Sequence, residues 1–148
     1  MRMVEAHSPA ELAAVRLLFE EYWRSFGFTP CFQGFDQEVA NLPGNYTWLG
    51  LLLIEEEPAG CVALRRFDET RAEFKRLYVR PRYRGQGCGR VLMTWALAKA
   101  REAGYREVVA DTMPQMQTAL AMYDRAGFER TDPYASEPTP GAIYLLQL

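Results

Sequence analysis

The chain has 148 residues, of which 49% are hydrophobic and 24% charged, with a formal net charge of −2. A chain of this length buries about 70% of its unfolded surface, so one globular domain spanning 1–148 is expected, and its mild acidity offers no bulk attraction for nucleic acid. No run approaches the ~20 unbroken apolar residues of a membrane span, and MRMVEAHSPAELAAV lacks the apolar stretch of a secretory signal, so the expected location is cytoplasmic and away from membranes.

Residue inventory narrows the chemistry. Cys31, Cys61 and Cys88 are an odd set without metal-ligand spacing, so reduced thiols and no metal are expected. The single histidine, His7, lies near the N-terminus, and Ser8, Ser25 and Ser136 all fall outside a G-x-S-x-G elbow. Hydrolase readings therefore lose their parts.

In chain order, SPAE at 8–11 predicts a helix start: Ser8 caps, Pro9 takes the first helical position and Glu11 completes a capping box. Leu12, Val15, Phe19 and Tyr22 then share a face, carrying the helix to Ser25 before GFTPCFQG breaks it. FDQEVANL reads as a shorter helix. TWLGLLLIEE and CVALRRF read as two strands with a tight turn at EPAG, and AEFKRLYV as a third strand after DETR. A helix with Val91, Leu92, Trp95 and Ala96 on one side follows, with Gly104 as its C-terminal cap. REVVAD is a buried strand. Pro114 begins another helix, with Met116, Ala119, Leu120 and Tyr123 on one face and Gly127 as its stop. Two strands, separated by DPYASEPTPG and ending in AIYLLQL, close the chain.

The strand-to-helix junction RPRYRGQGCGR, residues 80–90, combines glycine with arginine. A helix N-terminus leaves about four N–H groups without intrahelical partners and attracts anions. Gly85, Gly87 and Gly89 would let a phosphate approach them, with Arg84 and Arg90 alongside. Lys75, Arg76, Arg80 and Arg82 add to a basic stretch with no acid between Phe74 and Arg90. Counting from Gly85 puts Arg90 at the third glycine of G-x-G-x-x-G, and no Lys-Ser or Lys-Thr pair follows as a Walker loop requires. A loop whose glycines serve only to turn, with solvated arginines, is the competing reading.

The spacing Arg84-x-x-Gly87-x-Gly89 between strand and helix resembles the acyl-CoA-binding motif of the GNAT superfamily of N-acetyltransferases. EFKRLYVRPRYRGQGCGRVLM is similar to that family's strand, loop and helix, and ALAMYDRAGF to its A-x-x-x-Y-x-x-x-G-F helix end. The resemblance is weakest over 26–48 and after Thr131. It implies an α/β (α+β) fold: a central, twisted, mostly antiparallel mixed sheet, splayed between its fourth and fifth strands and flanked by about four helices.

It also implies roles for particular residues. The acyl-CoA would lie in the splay, its pantetheine paired with Leu77, Tyr78 and Val79 and its pyrophosphate on Arg84, Gly85, Gln86, Gly87, Cys88, Gly89 and Arg90. A backbone N–H near Val79 would polarise the thioester carbonyl. Tyr123 would assist the leaving thiolate; reference pKa values of ~8.5 for a thiol and ~10 for a phenol make full proton transfer uphill by roughly 2 kcal/mol, favouring hydrogen-bonded or concerted help. The alternative for Tyr123 is the last member of an apolar stripe. Glu73 would be the base for an amine of pKa ~10.4, or else a solvated strand residue, with Asp111 and Tyr46 as weaker candidates.

Met116 stands where many relatives carry an asparagine that contacts the cofactor, leaving backbone or Gln115 to substitute. A helix N-terminus can lower a thiol's pKa, but Cys88 occupies a variable motif position whose small size its helical placement explains. Trp23, Phe26, Phe28, Phe32 and Tyr134 are either an acceptor wall or core. The expected reaction moves acetyl from acetyl-CoA to a small-molecule amine or amino-acid derivative, in a monomer or homodimer, without nucleic acid. A protein N-terminus or lysine is the second acceptor class, and an acyl-CoA sensor without turnover the rival function.

Overall fold

The computed structural model describes residues 1–25, 27, 35–111, 117–130 and 143–148, with the backbone alone for 35, 111, 117–120, 130 and 143–145. Its elements are β1 (Arg2–Glu5), α1 (Pro9–Ser25), α2 (Phe35–Ala40), β2 (Trp48–Ile54), β3 (Glu57–Arg66), β4 (Arg71–Val79), α3 (Cys88–Glu102), β5 (Glu107–Asp111), α4 (Gln117–Ala126), β6 (Glu129–Arg130) and β7 (Ile143–Gln147), with a short 3-10 turn at Pro81–Tyr83. The strands form one seven-stranded sheet in the order β1-β2-β3-β4-β5-β7-β6. Every neighbouring pair is antiparallel except β4 and β5, which run parallel because α3 carries the chain back between them.

Local chemistry explains the helix ends. At the start of α1 the Glu11 N–H donates to Ser8 Oγ at 3.1 Å, and Glu11 Oε1 accepts from the Ser8 N–H at 3.0 Å, the reciprocal capping box the sequence predicts. The α4 end is closed by two backbone bonds, Phe128 N–H to Tyr123 O at 3.0 Å and Gly127 N–H to Asp124 O at 3.2 Å. Tyr123 thus sits on the last closed turn of its helix, next to the strand that follows.

The sheet separates two apolar layers. Against α3 and α4 lie Leu52, Val62, Leu64, Ala72, Phe74, Val108 and Ala110, packed with Leu92, Ala96 and Tyr123. Against α1 and α2 lie Leu49, Leu51, Cys61, Ala63 and Tyr78, packed with Val15, Phe19, Tyr22 and Trp23. The two sets alternate along β2 and β3, as the period of two requires, while on β4 the facing changes parity between Phe74 and Tyr78, where the β3–β4 register shifts.

Two expectations need correcting. The turn between β2 and β3 lies at Glu55 and Glu56, both left-handed with φ of 51° and 64°, whereas EPAG is strand. Pro58 is tolerated because the β2–β3 register shifts between Leu52 and Leu53, where an extra residue already interrupts the ladder. The edge strand β1 was not foreseen: RMVE is short and carries no clear alternation, and it is held by antiparallel pairing to 50–53 of β2. Among the described residues, no helix is long and apolar enough to cross a membrane.

Candidate functional site

The site begins where β4 and β5 part. Their parallel pairing covers Arg71↔Glu107, Ala72↔Val108 and Glu73↔Val109 and then stops, although β4 continues to Val79. Among the described residues, the β5-facing edge of β4 has no ladder partner beyond Glu73, and the gap between the parting strands is an opening. In sheets with crossover helices, ligands bind outside the carboxyl ends of the strands, which is where this opening lies.

A bulge decides which backbone groups face it. Pairing of β3 with β4 runs Gly60↔Val79 and Cys61↔Tyr78, then resumes one residue out of step at Ala63↔Lys75. The additional residue lies beside Arg76, whose φ is 58°. The Arg80 N–H donates to Ala59 O at 2.8 Å, so the pair next to it, Gly60↔Val79, is the kind whose N–H and C=O point away from each other's strand. The Val79 backbone therefore faces the opening, and its carbonyl accepts from Arg84 Nε at 2.9 Å.

At the head of the opening stands the N-terminus of α3. Its cap is Gly87, left-handed at φ 84° and ψ 10°, with no side-chain cap. The first closed turn is the Val91 N–H to Gly87 O bond at 3.1 Å, which leaves the amides before it aimed out of the helix. In α1 the corresponding amides are occupied by Ser8 and Glu11. Gly85, at φ 81°, and Gly87 are exposed, with open space where a Cβ would stand. Gln86, Arg84 and Arg90 are exposed too. These residues fit an anionic group such as a pyrophosphate.

Gly89 also makes a contact that was not expected. A Cβ there would lie 2.6 Å from Met122 Cε and 3.1 Å from Met122 Sδ, so this glycine lets α3 and α4 approach each other. Cys88 is buried, its thiol donating to Tyr83 O at 3.4 Å, and burial pushes that thiol's pKa up. The helix N-terminus does not make it a nucleophile. The basic stretch also divides: Arg76 and Arg80 turn inward to Glu38 and Glu21, while Arg82, Arg84 and Arg90 stay exposed. Leu77 and Val79 are half-buried on the α3 side, and Tyr78 is buried on the α1 side.

Tyr123 is 4% exposed and meets Phe74, the first β4 residue past the β5 pairing, ring edge to face at 5.8 Å and 82°. It also packs on Phe128 at 5.1 Å. The ring is thus both a core element and a neighbour of the point where the strands part. Glu73 is 2% exposed, buried rather than solvated, with its Oε1 2.5 Å from Arg65 Nε across the β3–β4 ladder and its Oε2 3.8 Å from Lys75 Nζ. It lies on the sheet face opposite Phe74 and Tyr123. Tyr46 donates its hydroxyl to Glu38 Oε1 at 2.6 Å, and burial pushes its pKa far up, which removes it as a base. Asp111 ends β5. Phe26, Phe28, Cys31, Phe32, Pro114, Gln115, Met116 and Tyr134 lie outside the described residues.

A model of the acetyltransferase (GNAT) family matches residues 13–128. The chain belongs to that family. It is 34% identical over 143 residues to an uncharacterized N-acetyltransferase of Schizosaccharomyces pombe, covering 93% of this chain and 88% of the relative. Its fold superposes on a GNAT-family acetyltransferase from Staphylococcus aureus with a TM-score of 0.84 at 15% identity, over 99% of this chain and 98% of that one. A second neighbour, the PaiA N-acetyltransferase of Thermoplasma acidophilum, solved in complex with coenzyme A, matches with a TM-score of 0.74 at 18% identity over the full length of both chains. The chain is an N-acetyltransferase, and the mixed sheet with its single parallel β4–β5 step is the architecture it shares with these neighbours.

Neither Glu38 nor the α2 contact with β4 was foreseen as part of the site. No local pattern signals it, because Arg76 and Glu38 are 38 positions apart.

Proposed function

We propose that this N-acetyltransferase moves the acetyl group of acetyl-CoA to the primary amine of a small molecule or amino-acid derivative, by direct transfer within a ternary complex. The observation that carries the reading is the parting of β4 from β5 after Glu73↔Val109, beside a helix N-terminus with exposed left-handed glycines. The amides at 85–90 and the Arg84 and Arg90 guanidiniums bind the pyrophosphate, and the freed edge of β4 at 77–79 pairs with the pantetheine arm as an added strand would.

The amine nitrogen attacks the thioester carbon as the C–S bond breaks. The Val79 N–H hydrogen-bonds the carbonyl oxygen as negative charge gathers there, a donor fixed in place by the sheet before the reaction begins. Tyr123 hydrogen-bonds the departing sulfur. The proton released by the amine passes to Glu73, through water, since Glu73 and Tyr123 lie on opposite faces of β4 and act from opposite sides of the reacting carbon.

The test is release of free CoA thiol from acetyl-CoA with a panel of amines, amino acids and peptides with free N-termini. Acceptor-dependent release with small amines is the expected result. Release with peptides alone would move the acceptor to the protein class, and tight acetyl-CoA binding with no release under any acceptor would mark a sensor.

A further inference from the structure

The bulge in β4 is held by a clamp. Arg76 donates Nε to Glu38 Oε2 at 3.0 Å and a terminal nitrogen to Glu38 Oε1 at 2.9 Å, a two-point pairing of guanidinium with carboxylate. Its guanidinium carbon lies 4.5 Å from the Trp23 ring centre, and Tyr46 adds its hydroxyl to the same carboxylate. Both charged side chains are largely out of water. Helix α2, helix α1 and the loop before β2 thus converge on one left-handed residue of β4.

Left-handed backbone is disfavoured for an arginine, so something must hold it there. Strand parity shows what depends on it. Without the additional residue, every position past Lys75 would exchange its facing, and the Val79 N–H would turn from the opening toward β3. Side chains make the same point: with the bulge, Lys75 and Arg76 both lie on the α1–α2 face, while Leu77 and Val79 return to the α3 side.

We propose that Arg76 and Glu38 are positioning residues for acetyl transfer, whose ion pair holds the bulge that aims the Val79 N–H into the opening. The inference rests on the role given above to that N–H. It assigns the Arg76 side chain to the conformation of its own backbone, not to contact with acetyl-CoA or acceptor.

Glycine separates this role from packing. Arg76→Ala removes the clamp and keeps a residue that avoids positive φ, whereas Arg76→Gly removes the clamp and still more side chain but adopts the left-handed backbone freely. Both are combined with Glu38→Gln, so that no buried carboxylate is left without its cation, and both double variants are compared with the wild-type parent, in which the pair is intact. With Glu38→Gln, Arg76→Ala is expected to lower kcat by about tenfold or more below wild type, as a misaimed oxyanion donor does, with little change in KM for acetyl-CoA. Arg76→Gly with Glu38→Gln is expected to recover kcat to within about threefold of wild type. A second readout is the Val79 amide resonance, which acetyl-CoA should shift in the wild-type parent and the glycine variant and leave in place in the alanine variant.

Glycine and alanine variants equally impaired, or a Val79 resonance that responds alike in both, would overturn the inference. A parent enzyme that never transfers acetyl would defeat the proposed function instead. The resonance of Val79 would then still decide whether the clamp sets its direction.

Discussion

Gly87→Glu is expected to abolish micromolar acetyl-CoA binding while leaving the fold standing. A Cβ at this position meets nothing within 4 Å, so the structural cost is confined to the left-handed backbone at φ 84°. That costs a non-glycine residue about 1–2 kcal/mol, or a fall in Tm of about 2–8 °C for a domain of this size. The effect on binding is separate and larger. A carboxylate ~4 Å from one unit of phosphate charge is repelled by about 1 kcal/mol at the dielectric of water and about 4 at an effective value of 20. With two phosphates nearby and partial screening, ~3 kcal/mol is a fair expectation, or about a hundredfold in Kd. Gly87→Ala carries the same backbone cost without the charge, so the ratio of the two Kd values isolates the electrostatic part. Titration calorimetry with CoA and acetyl-CoA, paired with scanning calorimetry of each variant, measures both terms. Binding by Gly87→Glu within about threefold of Gly87→Ala would show that no phosphate lies against this helix end.

Tyr123→Phe keeps the ring contacts with Phe74 and Phe128, and kcat should fall about ten- to a hundredfold with less change in KM. An unchanged steady-state rate would return Tyr123 to a purely packing role. Gly60→Ala should cost about 1–3 kcal/mol, because its Cβ would lie 2.6 Å from the Tyr78 carbonyl oxygen, which the sheet holds in place; a urea melt superimposable on the wild type would contradict the close approach of β3 and β4. Burial pushes the Glu38 carboxyl up, but the Arg76 hydrogen bonds and charge, with the Tyr46 hydroxyl, outweigh it and hold its pKa below the ordinary value. A folded-state pKa below the unfolded one contributes stability that is complete above the unfolded value of about 4.3 and lost as pH falls through the folded value. Urea melts from about pH 6 down to about pH 3 should therefore show a steeper acid loss for wild type than for Glu38→Gln, and parallel curves would remove Glu38 from the acid transition.

Elements whose cause is local were legible before folding. The capping box at Ser8 and Glu11, the glycines that end α3 and α4, and the strand-loop-helix at 72–103 all rest on residues within a few positions of one another. The place of Tyr123 at the end of α4 follows from its spacing to Gly127 and Phe128, which is a property of one helix end. The turn of the first hairpin was misplaced because Pro58 and Gly60 carry the usual turn signal, while Glu55 and Glu56, which do turn, carry none. Pairing of β2 with β3 imposes their left-handed backbone. The contact between Gly89 and Met122 was not legible for a related reason: beside Gly85 and Gly87 the spacing signals only bare backbone, and only the packed Met122 side chain shows what occupies the space of the missing Cβ.

By itself the amino-acid sequence determined the class of fold, the family and the glycine-rich helix start proposed to receive an anion, because helix caps, strand alternation and glycine spacing act over one or two turns of chain. Tertiary structure decided which backbone amides face the opening, which arginines remain exposed, and that Glu73 is buried against Arg65. Those outcomes depend on strand register and on ion pairs between distant segments, Arg76 with Glu38 and Arg80 with Glu21, whose partners meet only once α1 and α2 are laid across the sheet.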